Sequence, residues 1–351
     1  MNSCRNCGYI PDLPSSGNLL MKLKGHPQLE KIEEVLQLGD FTYRLNDNNI
    51  YSIPYQNEET LNKLIQQLDP ILLTNEYTYA TYSVEESEHF ANFVRYEQLR
   101  ERIMNWPLVR VINEGLFTQH MQPIVQLTTE EVFGYEFLVR PIQSELSFNP
   151  GTLFSFSQKA GLQSVLDSQA RISSIEISSK LLRNGVKRFI NFLPSSIYDP
   201  NHCLKSTLYA VEKYGVQPED LIFEVVETEK IHDIDHLKNI FNVYQKQGIQ
   251  VALDDLGAGF ATVDILRELK PNFAKIDRAI IDHCDQYTEK QTKIKEIVNV
   301  ADAYGIKLLA EGIERKEEAD LCAELNIPLA QGYYFGRPKA EPVTNVFPFA
   351  N

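Results

Sequence analysis

The sequence predicts an α/β protein: a TIM-type (β/α)8-like barrel filling residues 107–351, preceded by a small α/β or α+β domain over residues 1–106. Three observations lead there. Eight short apolar or β-branched runs follow residue 107. Most are separated by stretches of helical periodicity, the rhythm of βα units and a largely parallel sheet. Finally, no glycine-rich phosphate turn follows a run, which disfavours a doubly wound dinucleotide-binding sheet; DLGAGF at 255–260 has G-x-G but no third glycine.

Residues 1–106 lack that alternation. In FTYRLNDNNIYSIPY, two short strands flank the turn residues Asn46 to Asn49. NEETLNKLIQQL has a helical pattern. The segment SVEESEHFANFVRYEQLRERIMNW, residues 83–106, reads as one longer amphipathic helix with Ser83 as its N-cap. No site is visible in this part of the chain.

The barrel runs are HMQPIVQL, VFGYEFLV, RFINFLP, LIFEVVE, IQVALDDLG, FAKIDRAII, IKLLAEGI and LAQGYYFG. HLKNIFNVYQKQG and KQTKIKEIVNVADAYG are among the helical stretches between them. Within YEFLVR, Glu136 and Arg140 would form an ordinary surface ion pair on a helix. On a strand they share one face about 13 Å apart, and the register of the other runs selects the strand.

Composition narrows the function classes. Of 351 residues, 43% are hydrophobic and 23% charged, ordinary for a globular protein. A net charge of −14 argues against a nucleic-acid polymer or an anionic membrane as partner. No run of about 18 apolar residues exists, so no membrane insertion is expected. The N-terminus has no apolar signal-peptide core, and the expectation is a cytoplasmic protein. The five cysteines are an odd, sparse set that suits a reducing compartment. Cys4 and Cys7 form one C-x-x-C, with His26 the nearest histidine, against the four ligands a structural zinc needs.

Each run carries polar groups in or at the end of its apolar stretch: Glu136, Asn191, Glu224 with Glu227, Asp254 with Asp255, Lys275 with Asp277, Glu311 with Glu314, and Gln331. In a βα barrel the C-terminal strand ends converge on one mouth, so these residues would meet. Clustered like charges repel unless cations neutralise them. Carboxylate and amide oxygens suit hard divalent cations, Mg²⁺ or Mn²⁺, and the set holds no histidine for zinc. The adjacent Asp254 and Asp255 suggest two ions, an arrangement suited to in-line phosphoryl displacement.

Residues 107 to 345 resemble the EAL family of cyclic di-GMP phosphodiesterases. GYEFLVR resembles the signature Glu-Ala-Leu strand and MQPIV the strand before it. INFLP, FEVVET, ALDDLGAGFAT, KIDR, AEGIE and QGYYFGRP follow in family order. The resemblance implies hydrolysis of cyclic di-GMP to linear pGpG with two Mg²⁺ or Mn²⁺ ions. It implies that Glu136, Asn191, Glu224 and Asp254 hold one metal, with Asp254, Asp255 and Glu311 around the second. Lys275 would contact or activate the attacking water, with Glu136 and Glu311 counted beside it as catalytic. Arg140 would bind a substrate phosphate, with Gln331, Glu314 and Gln122 as further substrate-site residues. Glu227 would anchor the loop after the aspartate pair. A homodimer is the assembly the family leads one to expect. Departures from the family pattern are Phe137, Pro141, Leu256, Ala258 and Phe260. They leave a second reading, a catalytically inactive cyclic di-GMP receptor or protein-interaction module signalling through the N-terminal domain.

Overall fold

The structure is a computed structural model that describes residues 10–23, 28–46, 50–73, 78–84, 93–142, 146–225, 233–257 and 261–343. The chain divides into two compact units, one of residues 1–116 with 142–166 and one of residues 117–141 with 167–351.

The first unit is built on strands β1 (Gly17–Lys22), β2 (Arg44–Leu45), β3 (Ile50–Tyr55), β4 (Tyr79–Ser83) and β5 (Val94–Arg95). They form one antiparallel sheet in the order β2-β3-β1-β4-β5. Helix Leu29–Leu38 follows β1 and helix Glu58–Leu72 follows β3, so the first four strands have the β-α-β-β-α-β order of a ferredoxin-like unit. Asn57 caps the second helix by accepting from the Thr60 amide at 2.8 Å. Leu61, Leu64, Ile65 and Leu68 recur at helical spacing on that helix and are buried with Leu19, Met21 and Ile53 of the sheet. Tyr96, 1% exposed, donates to the Ile65 carbonyl at 3.2 Å and to Asp69 at 3.0 Å.

The two strands expected around Asn46 to Asn49 are present as β2 and β3. The single helix expected over 83–106 is not. Ser83 ends strand β4, Val94 and Arg95 pair with Ala80 and Tyr79, and the helix begins only at Tyr96, ending at Met104. A second helix, Trp106–Glu114, starts with Pro107 in its first turn, where proline's missing N–H is harmless. The strand pairing that overrides the helical pattern joins segments distant in sequence, and window periodicity does not register such a contact.

The second unit closes eight strands into a barrel: β6 (Phe117–Gln126), β7 (Glu131–Pro141), β8 (Lys187–Phe192), β9 (Leu221–Val225), β10 (Gln250–Leu256), β11 (Phe273–Ile276), β12 (Lys307–Ala310) and β13 (Leu329–Gln331). From β7 to β13 neighbouring strands are parallel, while β6 runs antiparallel to both β7 and β13. Alternation along each strand separates two faces. Ile124, Phe189, Ile222, Ala252, Phe273, Leu309 and Leu329 form an apolar plug inside, with the Phe189 and Phe273 rings edge-to-face at 5.6 Å. Residues of the opposite parity, including Tyr135, Phe137, Ile190, Phe223, Val251, Ala274 and Leu308, pack in the larger outer core with helices such as Ile234–Lys246 and Thr288–Tyr304. Phe137, 3% exposed, belongs to that outer layer and is aimed away from the mouth.

Gly134 of β7 pairs with Lys187 of β8 so closely that a Cβ would run into the Lys187 carbonyl oxygen. Gly134→Ala is therefore expected to destabilise the barrel by about 1–3 kcal/mol, since backbone on both strands must shift. A melting temperature several degrees below wild type in thermal denaturation is the expected result; an unchanged melting temperature would contradict this register.

Candidate active site

One step of alternation beyond the plug lies the next inward layer, and it is polar. Asn191 stands two residues after Phe189, Glu224 after Ile222, Asp254 after Ala252, Lys275 after Phe273, Glu311 after Leu309 and Gln331 after Leu329. On the reversed strand β6 the matching residue comes two positions before Ile124, and it is Gln122, directly opposite Glu136. Eight strands thus deliver eight polar side chains to one end of the barrel.

At the centre of this layer is Lys275, 1% exposed. Its Nζ lies 2.7 Å from Glu311, 3.1 Å from Asp254, 3.2 Å from Glu224 and 3.8 Å from Glu136. Burial alone would lower its pKa, but Asp254, Glu136, Glu224 and Glu311 together hold it well above the ordinary lysine value. Burial raises the Glu224 and Glu311 pKa values, and neighbouring carboxylates push the same way against the opposing pull of Lys275. Glu136 is fixed from two sides: Asn191 Nδ2 donates to one oxygen at 2.9 Å and Gln331 Nε2 to the other at 2.6 Å. Gln331 also donates to Gln122 at 3.1 Å, and Gln122 to the Gly336 carbonyl at 3.3 Å.

Asp255 has φ of +53°, which turns the chain directly after Asp254 and puts two consecutive carboxylates at the same strand end. Oxygens of Asp254, Asp255 and Glu311 lie within 4.8 Å of one another, close enough to share a cation. Glu224 Oε1, fully buried, has no hydrogen-bond partner among the described residues. An orphaned oxygen within this cluster of five carboxylates is costly unless a cation completes it.

A cavity of about 290 Å³ opens over this layer, with Glu136, Asp255, Glu311, Glu314, Gln122 and Gln331 in its wall. Leu138, Asp277, Arg278, Gly312, Gly332 and Tyr333 also line it. Sequence reasoning assigned Arg278 and Tyr333 no role. Arg278 bonds Glu314 at 2.8 Å, and its side chain fills the space a Cβ on Gly312 would need, so the glycine of AEGIE was the available signal. Arg140 is not one of the described wall residues; it sits two residues beyond Leu138 and donates to the Val139 carbonyl at 2.8 Å. Glu227, Ala258, Phe260, Cys4, Cys7 and His26 lie outside the described residues.

A further residue with no sequence-based role, Glu318, holds the segment bearing Glu314. It is 1% exposed and accepts from the amides of His283 at 2.9 Å, Glu314 at 3.0 Å and Arg315 at 3.1 Å, and from Arg315 Nε at 3.1 Å.

The fold and the site define a closed α/β barrel whose mouth presents a buried lysine, five carboxylates and three amides. Residues 107–338 match the family model described as the EAL domain, and the chain belongs to that family. It is 29% identical over 237 residues to a probable cyclic di-GMP phosphodiesterase, PdeG, of Escherichia coli K12, covering 66% of this chain and 46% of that protein. With the cyclic di-GMP phosphodiesterase RocR of Pseudomonas aeruginosa it shares 28% identity over 239 residues, covering 67% of this chain and 60% of that one. The match thus spans about half the length of these curated relatives. A standalone versatile EAL protein from Vibrio cholerae O395, solved in a c-di-GMP-bound form, superposes with a TM-score of 0.59 at 33% identity, covering 65% of this chain and 95% of that one. Among the described residues no helix is long and apolar enough to cross a membrane.

Although burial pushes the Glu318 pKa up, the backbone and Arg315 donors bring its carboxyl below the ordinary value. A depressed pKa contributes stability that is present above the unfolded-state value and lost as pH falls through the folded-state value. Glu318→Gln should therefore lower stability near neutral pH by about 2 kcal/mol, with the difference from wild type shrinking below about pH 4. Denaturant unfolding of both proteins across that range checks the sign; a difference that grows in acid would refute it.

Proposed function

We propose that this chain is a metal-dependent phosphodiesterase that hydrolyses cyclic di-GMP to linear pGpG by in-line attack of water, lowering the level of that second messenger. The observation carrying the reading is the inward layer in which Glu136, Glu224, Asp254 and Glu311 surround Lys275, on a chain of the EAL domain family. The names of the relatives and the dinucleotide in the Vibrio cholerae structure support the substrate.

The donor set fits hard divalent cations, because it is all oxygen and leaves Glu224 Oε1 buried without a partner among the described residues. Two Mg²⁺ or Mn²⁺ ions, one on Glu136, Asn191, Glu224 and Asp254 and one on Asp254, Asp255 and Glu311, would supply hydroxide near neutral pH and positive charge at the reacting oxygens. Gln331 fixes the rotamer of Glu136, so that carboxylate needs no reorganisation. Lys275 stays protonated among its carboxylates and serves as a charged donor that orients the attacking water. Arg140, on the same strand face as Glu136, is the phosphate-binding residue of the proposal, and Glu314 and Gln122 complete the substrate wall. Residues 1–106 are proposed as a regulatory domain and the assembly as a homodimer; the separate core of the five-stranded sheet supports the former.

Purified chain with Mn²⁺ and cyclic di-GMP should release pGpG, and chelation should stop it. Tight binding without any pGpG would instead make the chain a receptor. Glu136→Gln should cut kcat by at least about a hundredfold, more than loss of an outer-shell partner costs. Arg140→Ala should act mainly on KM, raising it by about tenfold through the lost charge-assisted contact. Wild-type turnover by Glu136→Gln would refute the assignment of this strand end.

A further inference from the structure

Strand β8 is held at both ends by a buried aspartate, and one of the two grips the end that carries Asn191. At the start of the strand, Asp220 accepts from the Gly185 amide at 2.7 Å and from Lys187 at 3.0 Å, with Arg188 at 3.4 Å. At the far end stands Asp167, 3% exposed, on helix Gln163–Leu181. One of its oxygens accepts from the Leu193 amide at 2.9 Å. The other accepts from Arg171 of the same helix and from the Ser196 hydroxyl. Arg171, 2% exposed, also donates from Nε to Thr207 at 3.2 Å. The Ser196 amide and hydroxyl both turn back onto the Leu193 carbonyl, at 3.0 and 2.7 Å, and close the turn Pro194–Ser196.

The strand ladder runs out where this grip is made. Pairing of β7 with β8 ends at Phe137 with Ile190, and pairing of β8 with β9 ends at Phe192 with Val225. Asn191 therefore stands past its last β7 partner, and Leu193 past the last partner on either side. Yet the Asn191 carboxamide keeps its 2.9 Å bond to Glu136. Leu193 follows Asn191 by two residues, so their Cα atoms are at most about 7 Å apart. A buried ion pair is a poor source of stability, because well-packed apolar residues serve as well. This one fixes the backbone just beyond a proposed metal ligand. We propose that Asp167 is a positioning residue for the metal ion assigned to Asn191, with Arg171 as its counter-charge. It holds the Leu193 backbone, keeps the Asn191 carboxamide aimed, and touches neither metal nor substrate. The inference rests on the metal-dependent phosphodiesterase reading of this site.

Losing a partner that orients a metal ligand costs about ten- to a hundredfold in metal affinity. The test is calorimetric titration of the full chain with Mn²⁺ alone, without nucleotide, beside melting curves of each variant. Asp167→Ala with Arg171→Met removes both charges, leaves none buried and unpaired, and frees the Leu193 amide. Its affinity for one Mn²⁺ should fall by about tenfold or more. Asp167→Asn with Arg171→Met keeps an oxygen for that amide and should bind Mn²⁺ like wild type. Asp220→Asn, at the other end of β8, should lower the melting temperature and leave Mn²⁺ affinity unchanged. Wild-type affinity in the alanine pair, or an equal loss in the asparagine pair or in Asp220→Asn, would overturn the clamp alone. Should the alanine pair not fold, Ser196→Ala removes one bond to Asp167 while keeping both charges. Weakened Mn²⁺ binding there supports the clamp, and unchanged binding overturns it. Absence of Mn²⁺ binding by the wild-type chain would overturn the metal-dependent reading and the clamp together.

Discussion

A buried ammonium among carboxylates is the interaction on which the rest of this barrel depends. Lys275 touches Glu311, Asp254, Glu224 and Glu136 from four different strands, all within 3.8 Å. Removing five charges from water costs far more than packing can return unless geometry is tight and partners are complete. One lysine cannot balance four acids, and the Glu224 and Glu311 pKa values stay raised, chiefly by burial and further by the neighbouring carboxylates, in spite of Lys275. The amides of Asn191 and Gln331 take up part of it by donating to Glu136. The rest is the reason a cation belongs there. Structure and chemistry meet in this one constraint, because a layer that is costly as a fold is prepared as a binding site.

Such a layer requires register. The polar residues and the plug residues occupy the same inward face, two positions apart, and a slip of one residue on any strand would trade a carboxylate for a member of the outer core. Close backbone approaches at Gly134 and Gly332, where no side chain fits, help fix the strands that carry Glu136 and Gln331. Backbone geometry also shapes the strand end just past the layer. Asp255 takes a positive φ immediately after Asp254, so two carboxylates reach the mouth from one strand although alternation would send the second outward.

The spacing of plug and polar layer explains how much was legible in the chain. The barrel and its inward acids could be read because most strands write a plug residue and a site residue at a spacing of two, as in LIFEVVE or FAKIDR. Direction could not be read: β6 is antiparallel, and nothing local to HMQPIVQL distinguishes a polar residue before the plug from one after it. Arg278, Glu318 and Tyr333 were invisible as site residues because tertiary contacts place them, such as Glu318 with the amide of His283 and Arg278 with Glu314. The N-terminal unit misled for a related reason. The segment around Val94 and Arg95 has a helical pattern, but the free edge of β4 offers hydrogen bonds that the local pattern does not encode.

A net charge of −14 would by itself repel an anionic dinucleotide, and the site shows why it is no obstacle. Charges farther than about 8 Å through solvent are largely screened at physiological salt, so only the groups near the mouth decide. There Arg278 is spent on Glu314, and Lys275 on its four carboxylates. On the proposed function, phosphate attraction would then fall to Arg140 and to cations held by the acids. Under that reading acidity at the mouth serves phosphate binding, because carboxylates attract the divalent charge that a phosphodiester would meet.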